Sequence, residues 1–265
     1  MHKDAAHAGQ AIYTPLTLAL YDQAVLGVSC RGLWRCPSHE LLANYQRHIR
    51  PDHLDVGVGT GYFLDKVSFS GRAPRIALMD LNPDSLSACA KRIRRYQPVT
   101  HQCNVLEPVT FPGERFGSLG MNLLLHCLPG EMSDKACALD NLLPLMNPGA
   151  TVFGATLLQG GVERSVMAKG LMALYNAKGV FNNAGDSLAG LRHELECRLD
   201  TVSVKAVGCM GGGLVERCGS LILFRLSADR IQQKRLPLGA FLRSCQRSVI
   251  VTARAVYVAV FFFFG

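Results

Sequence analysis

The residues best suited to chemistry in this sequence surround a short glycine-rich stretch, LDVGVGTGYFL, at residues 54–64. Gly57, Gly59 and Gly61 follow an apolar run that predicts a buried strand, and the apolar residues after them predict the start of a helix. A glycine turn between a strand and a helix lets backbone N–H groups and the helix N-terminus approach a ligand closely. The stretch therefore predicts a site for a nucleotide-like ligand.

The spacing of the glycines argues against a nicotinamide dinucleotide. The G-x-G-x-x-G fingerprint of such sites would require glycine at position 62, where this chain has Tyr62. Asp55 is an acid in an otherwise apolar strand end, and burying it is costly unless a cation or several donors accompany it. A ligand with an ammonium group would satisfy this requirement. An NAD(P)-binding oxidoreductase therefore remains only as the alternative.

Two more polar side chains end the next two strand regions. Asp80 stands nineteen residues after Gly61, where it is placed to accept hydrogen bonds from a ribose diol. Asn104, in the stretch CNVL, can hydrogen-bond an adenine edge. An ammonium group, a ribose and an adenine together describe a nucleoside that bears an amino acid, and S-adenosylmethionine is such a molecule.

The elements that must position these residues alternate along the chain between short β-rich runs and amphipathic helical stretches. This alternation predicts an α/β fold, with a parallel sheet covered by helices. Strands are predicted at residues 54–58, 76–79, 119–125 and 151–158, followed by a closing pair at 201–207 and 219–226. Helices are predicted at residues 82–96, 131–146, 162–178 and 185–198. Asn82 is the predicted N-cap of the first helix, and Pro144 should end or kink the last turns of the second. NPGA, at residues 147–150, predicts a turn into the strand that follows.

Five stretches, taken in order, resemble the motifs of class I S-adenosylmethionine-dependent methyltransferases, and most closely the small-molecule methyltransferases of microbial natural-product clusters. They are LDVGVGTGYFLDKV, ALMDLNPDSL, CNVLEP, MNLLLHCLPG and MNPGATVFGATLLQGG, and the resemblance covers about residues 10–225. It implies a Rossmann-like, seven-stranded, mostly parallel sheet of order 3-2-1-4-5-7-6 with helices on both faces. It also implies methyl transfer to a small-molecule acceptor as a tailoring step in secondary-metabolite biosynthesis. A non-catalytic protein of the same fold is a second alternative, because this chemistry needs no obligatory catalytic side chain.

The resemblance also implies which residues touch S-adenosylmethionine. Gly57, Gly59 and Gly61 would pass under the cofactor, Asp55 would face its methionine end, and Asp80 would hold its ribose hydroxyls. Asn104 and Val105 would border the adenine. The full set of implied contacts is Asp55, Gly57, Gly59, Gly61, Asp80, Leu81, Asn104 and Val105. Asn104 departs from the family, which usually has Asp at this position, but its amide oxygen can still pair with the adenine amino group.

Four other side chains have two interpretations each. His126, at the end of the fourth strand, is the candidate general base, and the alternative is that it only shapes the pocket. Tyr13, Tyr21 and Trp34 would close over the cofactor or recognise an aromatic substrate, and the alternative is that they pack the N-terminal region onto the sheet. No metal is expected to take part.

The chain divides into three predicted parts. We expect residues 1–50 to form an N-terminal helical cap, residues 51–228 the cofactor-binding methyltransferase domain, and residues 229–265 a basic and then apolar, disordered appendage. The apolar end of the appendage, interrupted by Arg254, falls short of the roughly 20 residues that span a bilayer, so membrane association is not expected.

The distribution of charge and the spacing of the cysteines limit which partners and which cellular compartment we expect. Of the net charge of +8, residues 225–265 carry +6, because they hold seven of the 28 Lys and Arg and one of the 20 Asp and Glu. The nearly neutral remainder argues against a nucleic-acid partner. The ten scattered cysteines have no metal-binding spacing, and the N-terminus has no unbroken apolar core of a secretory signal. We therefore expect a cytoplasmic protein with reduced thiols.

Overall fold

The computed structural model describes residue 30, residues 32–69 and 73–209, and the backbone of residues 221–225. Tyr13 and Tyr21 lie outside the described residues, as does the appendage predicted for residues 229–265. The three-part division of the chain therefore stays a prediction.

Five parallel strands form the centre of the sheet. In chain order they are β1 (Asp52–Val56), β2 (Arg75–Asp80), β3 (Val99–Gln102), β4 (Phe116–Asn122) and β5 (Met146–Ala155). They lie side by side in the order β3-β2-β1-β4-β5, and every neighbouring pair is parallel. This arrangement confirms the predicted Rossmann-like α/β fold. The strand order reverses between β1 and β4, and at such a point an open α/β sheet forms a crevice at the carboxyl ends of its strands.

Two more strands extend the sheet beyond β5. The backbone of β7 (Leu221–Arg225) pairs antiparallel with β5, from Thr151↔Arg225 to Gly154↔Ile222. On its other side β7 pairs antiparallel with β6 (Thr201–Lys205). Both predicted closing strands thus occur, with β7 next to β5 and β6 at the edge beyond β7.

Helices cover both faces of the sheet. They are α1 (Ser38–His48), α2 (Tyr62–Lys66), α3 (Pro83–Arg92), α4 (Met132–Leu142), α5 (Val166–Ala177) and α6 (Leu188–Glu196). Successive strand residues face opposite sides: Ile76 and Leu78 pack with α1 to α3, whereas Ala77 and Met79 pack in the core that includes α4 and α6. The predicted cap of α3 is confirmed, because the Asn82 side chain accepts a hydrogen bond from the Asp84 N–H.

The end of α4 and the start of β5 both depend on local proline or glycine residues. The helix predicted for residues 131–146 ends at Leu142, and Pro144 lies in a single 3₁₀ turn that follows, as its missing N–H requires. The turn predicted at residues 147–150 is wrong as a boundary, because β5 already begins at Met146. Residues 147–150 instead form a bulge within β5: its register with β4 jumps from Phe116↔Met146 to Ser118↔Thr151.

Candidate functional site

A cleft lies along the carboxyl ends of β3, β2, β1 and β4 and encloses about 1080 Å³, open solvent at its mouth included. Its wall combines the glycine turn after β1, the ends of the three other strands and the segment that follows β4. Seven of the eight predicted cofactor contacts line it: Asp55, Gly57, Gly59, Asp80, Leu81, Asn104 and Val105. Gly61 is not a lining residue, but its neighbours Thr60 and Tyr62 are.

The glycine turn uses the conformational freedom of each glycine. Gly57, Gly59 and Gly61 have φ values of +70°, +50° and +73°, in the left-handed region that costs other residues about 1–2 kcal/mol. Space is limiting at two of them as well. A Cβ at Gly57 would lie 2.9 Å from Leu124 Cδ1, and one at Gly61 would lie 2.7 Å from Cys89 Sγ. The backbone conformation therefore favours glycine at each of these alternate positions, and the lack of room for a Cβ adds to this preference at Gly57 and Gly61.

Asp55 lies on the cleft wall but is largely withdrawn from water, with 6% of its surface exposed. The pKa of its carboxyl is raised to about 7, chiefly by burial and also by the nearby Asp80 carboxylate, while a hydrogen bond with the Tyr45 hydroxyl opposes the rise. The Tyr45 hydroxyl also lies 2.9 Å from His53 Nε2, and His53 Nδ1 lies 2.8 Å from Ser118 Oγ. This buried network beneath the cleft was not visible in the sequence, because its members come from α1, β1 and β4.

Asp80 ends β2 and faces the glycine turn. The Asn82 N–H donates to its Oδ1 at 2.9 Å, and the N–H groups of Gly59 and Val58 also lower its pKa, although burial has the larger effect and raises it. These donors orient the carboxylate at the edge of the cleft. A carboxylate in this position can accept hydrogen bonds from a pair of hydroxyl groups.

Asn104 lines the cleft beyond the end of β3, but its side chain already has partners. Its Oδ1 accepts from the Leu106 N–H at 3.1 Å, and its Nδ2 lies 3.4 Å from Glu107 Oε1. The first contact is a typical turn formed by an asparagine and the backbone two residues on. An adenine amino group would have to share the same amide oxygen.

His126 is turned away from the cleft. It is 4% exposed, its Nδ1 lies 3.3 Å from Thr156 Oγ1 and 3.4 Å from the Leu157 N–H, and its ring packs against Phe181 with centroids 4.7 Å apart. Burial and then the charge of Lys135 lower its pKa to about 3, so the imidazole is neutral near pH 7. These contacts favour a packing role, one layer behind the cleft, over that of a general base.

Trp34 likewise lies away from the cleft wall. It is 3% exposed, its ring stands 6.2 Å from that of Phe181, and its carbonyl accepts from the Cys209 N–H at 2.9 Å. These contacts favour the packing role.

Several residues that line the cleft were not predicted. They are Asn122, Leu124, Cys127, Leu128, Cys103 and Ser85. One of them had a sequence signal: Asn122 ends the apolar run GSLGMN, and a polar residue at the carboxyl end of a parallel strand lies where such sheets bind ligands. Burial raises the pKa of the Cys127 thiol to about 12, so this group stays protonated.

Other site types find little support in the part of the chain that is described. Residues 30–209, apart from the gaps already given, contain no group of three or more His, Cys, Asp or Glu side chains placed to hold a metal ion. The eight cysteines described are all free thiols. None of the described helices combines the length and the apolar character that crossing a bilayer requires.

An open parallel sheet with a glycine turn and two acids at its switch point defines a nucleotide-type binding protein of the Rossmann-like class. Comparison with known proteins identifies the family. A methyltransferase domain family matches residues 54–153. The demethylluteothin O-methyltransferase of Streptomyces thioluteus is 38% identical over 203 residues, which cover 77% of this chain and 88% of that protein. The physcion biosynthesis cluster O-methyltransferase of Aspergillus chevalieri is 33% identical over 202 residues, covering 76% and 90% of the two chains.

Solved structures agree on the fold. The N-methyltransferase NodS of Bradyrhizobium japonicum, in complex with S-adenosyl-L-homocysteine, superposes with a TM-score of 0.52 at 17% identity, over 81% of this chain and 98% of that one. The chain belongs to the S-adenosylmethionine-dependent methyltransferases, and its cofactor is S-adenosylmethionine. The oxidoreductase and the non-catalytic protein are thereby disfavoured as alternatives.

Proposed function

We propose that this enzyme transfers the methyl group of S-adenosylmethionine to a hydroxyl group of a small secondary metabolite, with the cofactor held in the cleft at the ends of β3, β2, β1 and β4. The choice of oxygen as the acceptor rests on the O-methyltransferases among its relatives. One observation carries the placement of the cofactor. Two of the three left-handed glycines, Gly57 and Gly59, and both acids, Asp55 and Asp80, line a single cleft.

The sheet order supports an orientation for the cofactor. The adenine would lie near Asn104 and Val105 after β3, the ribose diol at Asp80 after β2, and the methionine end near Asp55 at β1. The glycine turn would pass beneath the ligand, since only glycine fits its backbone there. We further propose that the chain carries the complete seven-stranded sheet of the family, which the pairing of β7 with β5 and β6 supports.

S-adenosylmethionine supplies a methyl group on a sulfonium, which is already activated for displacement. The protein's own residues would therefore bind, orient and exclude water rather than activate the methyl group. The apolar part of the cleft wall suits this task; it includes Tyr62, Phe63, Leu124 and Leu128. We assign His126 and Trp34 structural roles, because their contacts are with the protein interior.

Calorimetric titration tests the cofactor placement. The protein should bind S-adenosylmethionine and give no heat with NAD. Asp80→Ala should weaken S-adenosylmethionine binding by about 1–3 kcal/mol, because a charged acceptor of hydrogen bonds is lost. Asp84→Ala is the matched control, because Asp84 is exposed and four residues along the same strand–helix connection. Equal affinity for the Asp80 variant and the wild type would refute the placement.

The transfer reaction needs its own test. Small phenols and enols are incubated with the enzyme and S-adenosylmethionine, and both S-adenosylhomocysteine and the methylated product are measured. Methyl transfer to oxygen is the expected result. Methylation of an amine in preference to a hydroxyl group would contradict the proposed acceptor and leave the cofactor site standing.

A further inference from the structure

Asn122, the last residue of β4, has a side chain for which the described part of the protein offers no partner. It lines the cleft, is 8% exposed, and neither its Oδ1 nor its Nδ2 has a hydrogen-bond partner among the described residues. A buried amide that gives up water without gaining a partner costs free energy. Such a group in a ligand cleft is accounted for when the ligand supplies the missing partner.

The strand register places Asn122 beside Asp55. Asp55 pairs with Gly120 across β1 and β4, and Asn122 comes two residues later on the same face of the sheet. A Cβ at Gly120 would lie 2.8 Å from Asp55 Oδ1, so the Asp55 carboxylate leans over this glycine toward β4. The carboxylate and the carboxamide therefore share one end of the cleft.

The backbone turns sharply directly after Asn122. Leu123 has a φ of +58°, which is costly for a residue with a branched side chain, and its N–H donates to the Ala155 carbonyl at 2.7 Å. Strained backbone conformations concentrate at ligand-binding sites, where they aim particular groups. Here the turn ends β4 at the residue whose amide is unpartnered.

The sheet order decides which part of the ligand Asn122 meets. A cofactor with its adenine after β3 and its ribose after β2 can place its amino-acid end only over β1 and β4. That end offers both a donor, the ammonium, and acceptors, the carboxylate oxygens. A carboxamide has the matching acceptor and donors on one planar group.

We propose that the Asn122 carboxamide binds the amino-acid end of S-adenosylmethionine, together with Asp55. This inference rests on the proposed placement of the cofactor. Asn122 is then a residue that distinguishes ligands with an amino-acid group from nucleosides that lack it.

The test compares two ligands that differ only at this end. S-adenosylhomocysteine carries the amino acid, whereas methylthioadenosine ends in a methylthio group. Asn122→Leu removes the polar atoms while keeping the number and branching of the side-chain heavy atoms. It should weaken S-adenosylhomocysteine binding about 10- to 100-fold, as expected for hydrogen bonds to charged groups. Its affinity for methylthioadenosine should be unchanged, as measured by calorimetry without turnover.

The free protein provides a second readout. Because the amide has no partner within the described residues, Asn122→Leu should leave thermal stability unchanged or raise it. Asn122→Ala serves as a second variant if the leucine does not fit, and Asn44→Leu is the control. Asn44 also has a buried unpartnered Nδ2 but does not line the cleft, so its replacement should leave the affinity ratio of the two ligands unchanged.

Each result has a defined meaning. An unchanged affinity of Asn122→Leu for S-adenosylhomocysteine, or an equal loss for both ligands, would overturn the inference. Reduced methyl transfer with an unchanged affinity for S-adenosylhomocysteine would instead show that Asn122 binds the acceptor. Failure of the cofactor placement is seen separately, as Asp80→Ala leaving the affinity for both ligands unaltered.

Discussion

Asp55 combines a buried position with a pKa of about 7, and this property links cofactor binding to pH. Burial raises the pKa, and the groups that face the carboxyl are the Tyr45 hydroxyl, the neutral His53, the Asp80 carboxylate and Cys89. A ligand ammonium beside Asp55 would favour the ionised carboxylate and lower its pKa. Binding would then release a proton at any pH at which Asp55 of the free protein is still protonated.

We therefore expect S-adenosylmethionine binding to release up to one proton at about pH 6, where the free Asp55 is mostly protonated. Affinity should rise as pH increases from 6 toward 7. Calorimetry in buffers of different ionisation enthalpy measures the proton count directly. Methylthioadenosine, which has no ammonium, should release none, and Asp55→Asn should abolish the release. Proton release that persists in this variant would assign it to another group.

At the scale of single residues, the sequence predicts seven of the residues that line the cleft, but not their hydrogen-bond partners. Glycine spacing and acids at strand ends are sequence patterns, and they are enough to predict that Asp55 and Asp80 lie at the same cleft. The lone His126 illustrates the limit. Its type and position favour a base, but the direction of its ring is set by Thr156, Leu157 and Phe181, which lie about thirty or more residues away.

At the scale of elements, a buried ion pair fastens the 179–187 segment to α4. Lys135 Nζ donates to both carboxylate oxygens of Asp186 and to the Asn182 carbonyl, each at 2.7 Å. Both side chains are nearly inaccessible, at 0% and 1% exposed. The segment also contributes Phe181, whose ring packs on His126, so the ion pair holds part of the protein next to the cleft.

Removing one partner of this ion pair should be strongly destabilising. Lys135→Met should lower the free energy of unfolding by about 3–5 kcal/mol, because Asp186 would remain buried and uncompensated. Urea unfolding measures the change. Adding Asp186→Leu to the same variant should restore part of the loss.

Glu196→Ala is the control for this experiment. Arg192 pairs with Glu196 at 3.8 Å on the exposed side of α6, and such a pair contributes about 0.5 kcal/mol or less. A loss from Lys135→Met as small as that of the control would mean that Asp186 finds another partner.

Element types followed from the sequence more reliably than their ends. The helix cap at Asn82 and the stop at Pro144 depend on local chemistry and were predicted. The bulge at residues 147–150 depends on β4, because it exists only as a mismatch between two strands, and the local pattern predicted a simple turn. The Lys135–Asp186 pair, 51 residues apart, has no local signal at all.

At the scale of the whole molecule, buried titratable groups give the unfolding free energy two opposite dependences on pH. Burial lowers the pKa of His53 and His126 to about 3, so the stability that they contribute is complete above the unfolded value of 6.5 and is lost as pH falls toward 3. Asp55 acts in the other direction. Its raised pKa means that stability is lost as pH rises from the unfolded value of 3.8 through about 7.

Two variants should separate these contributions. The stability advantage of the wild type over His126→Asn should shrink as pH falls from 6.5 to 4. The difference between the wild type and Asp55→Asn should change in favour of the wild type over the same range. Each slope should be at most about 1.4 kcal/mol per pH unit, the value for one proton. Urea unfolding of the cofactor-free proteins at several pH values gives both slopes, and slopes of the same sign would contradict the assigned directions.

The bulge in β5 offers a practical advantage for labelling the enzyme. Pro148 and Gly149 are exposed, but Gly149 has a φ of +75° that strains other residues, so Pro148 is the position to replace. The bulge lies near the amino end of β5, whereas the cleft lies at the carboxyl ends of the strands, about 20 Å away at 3.3 Å per strand residue. A fluorophore or an affinity tag inserted there would report on the enzyme from outside its ligand cleft.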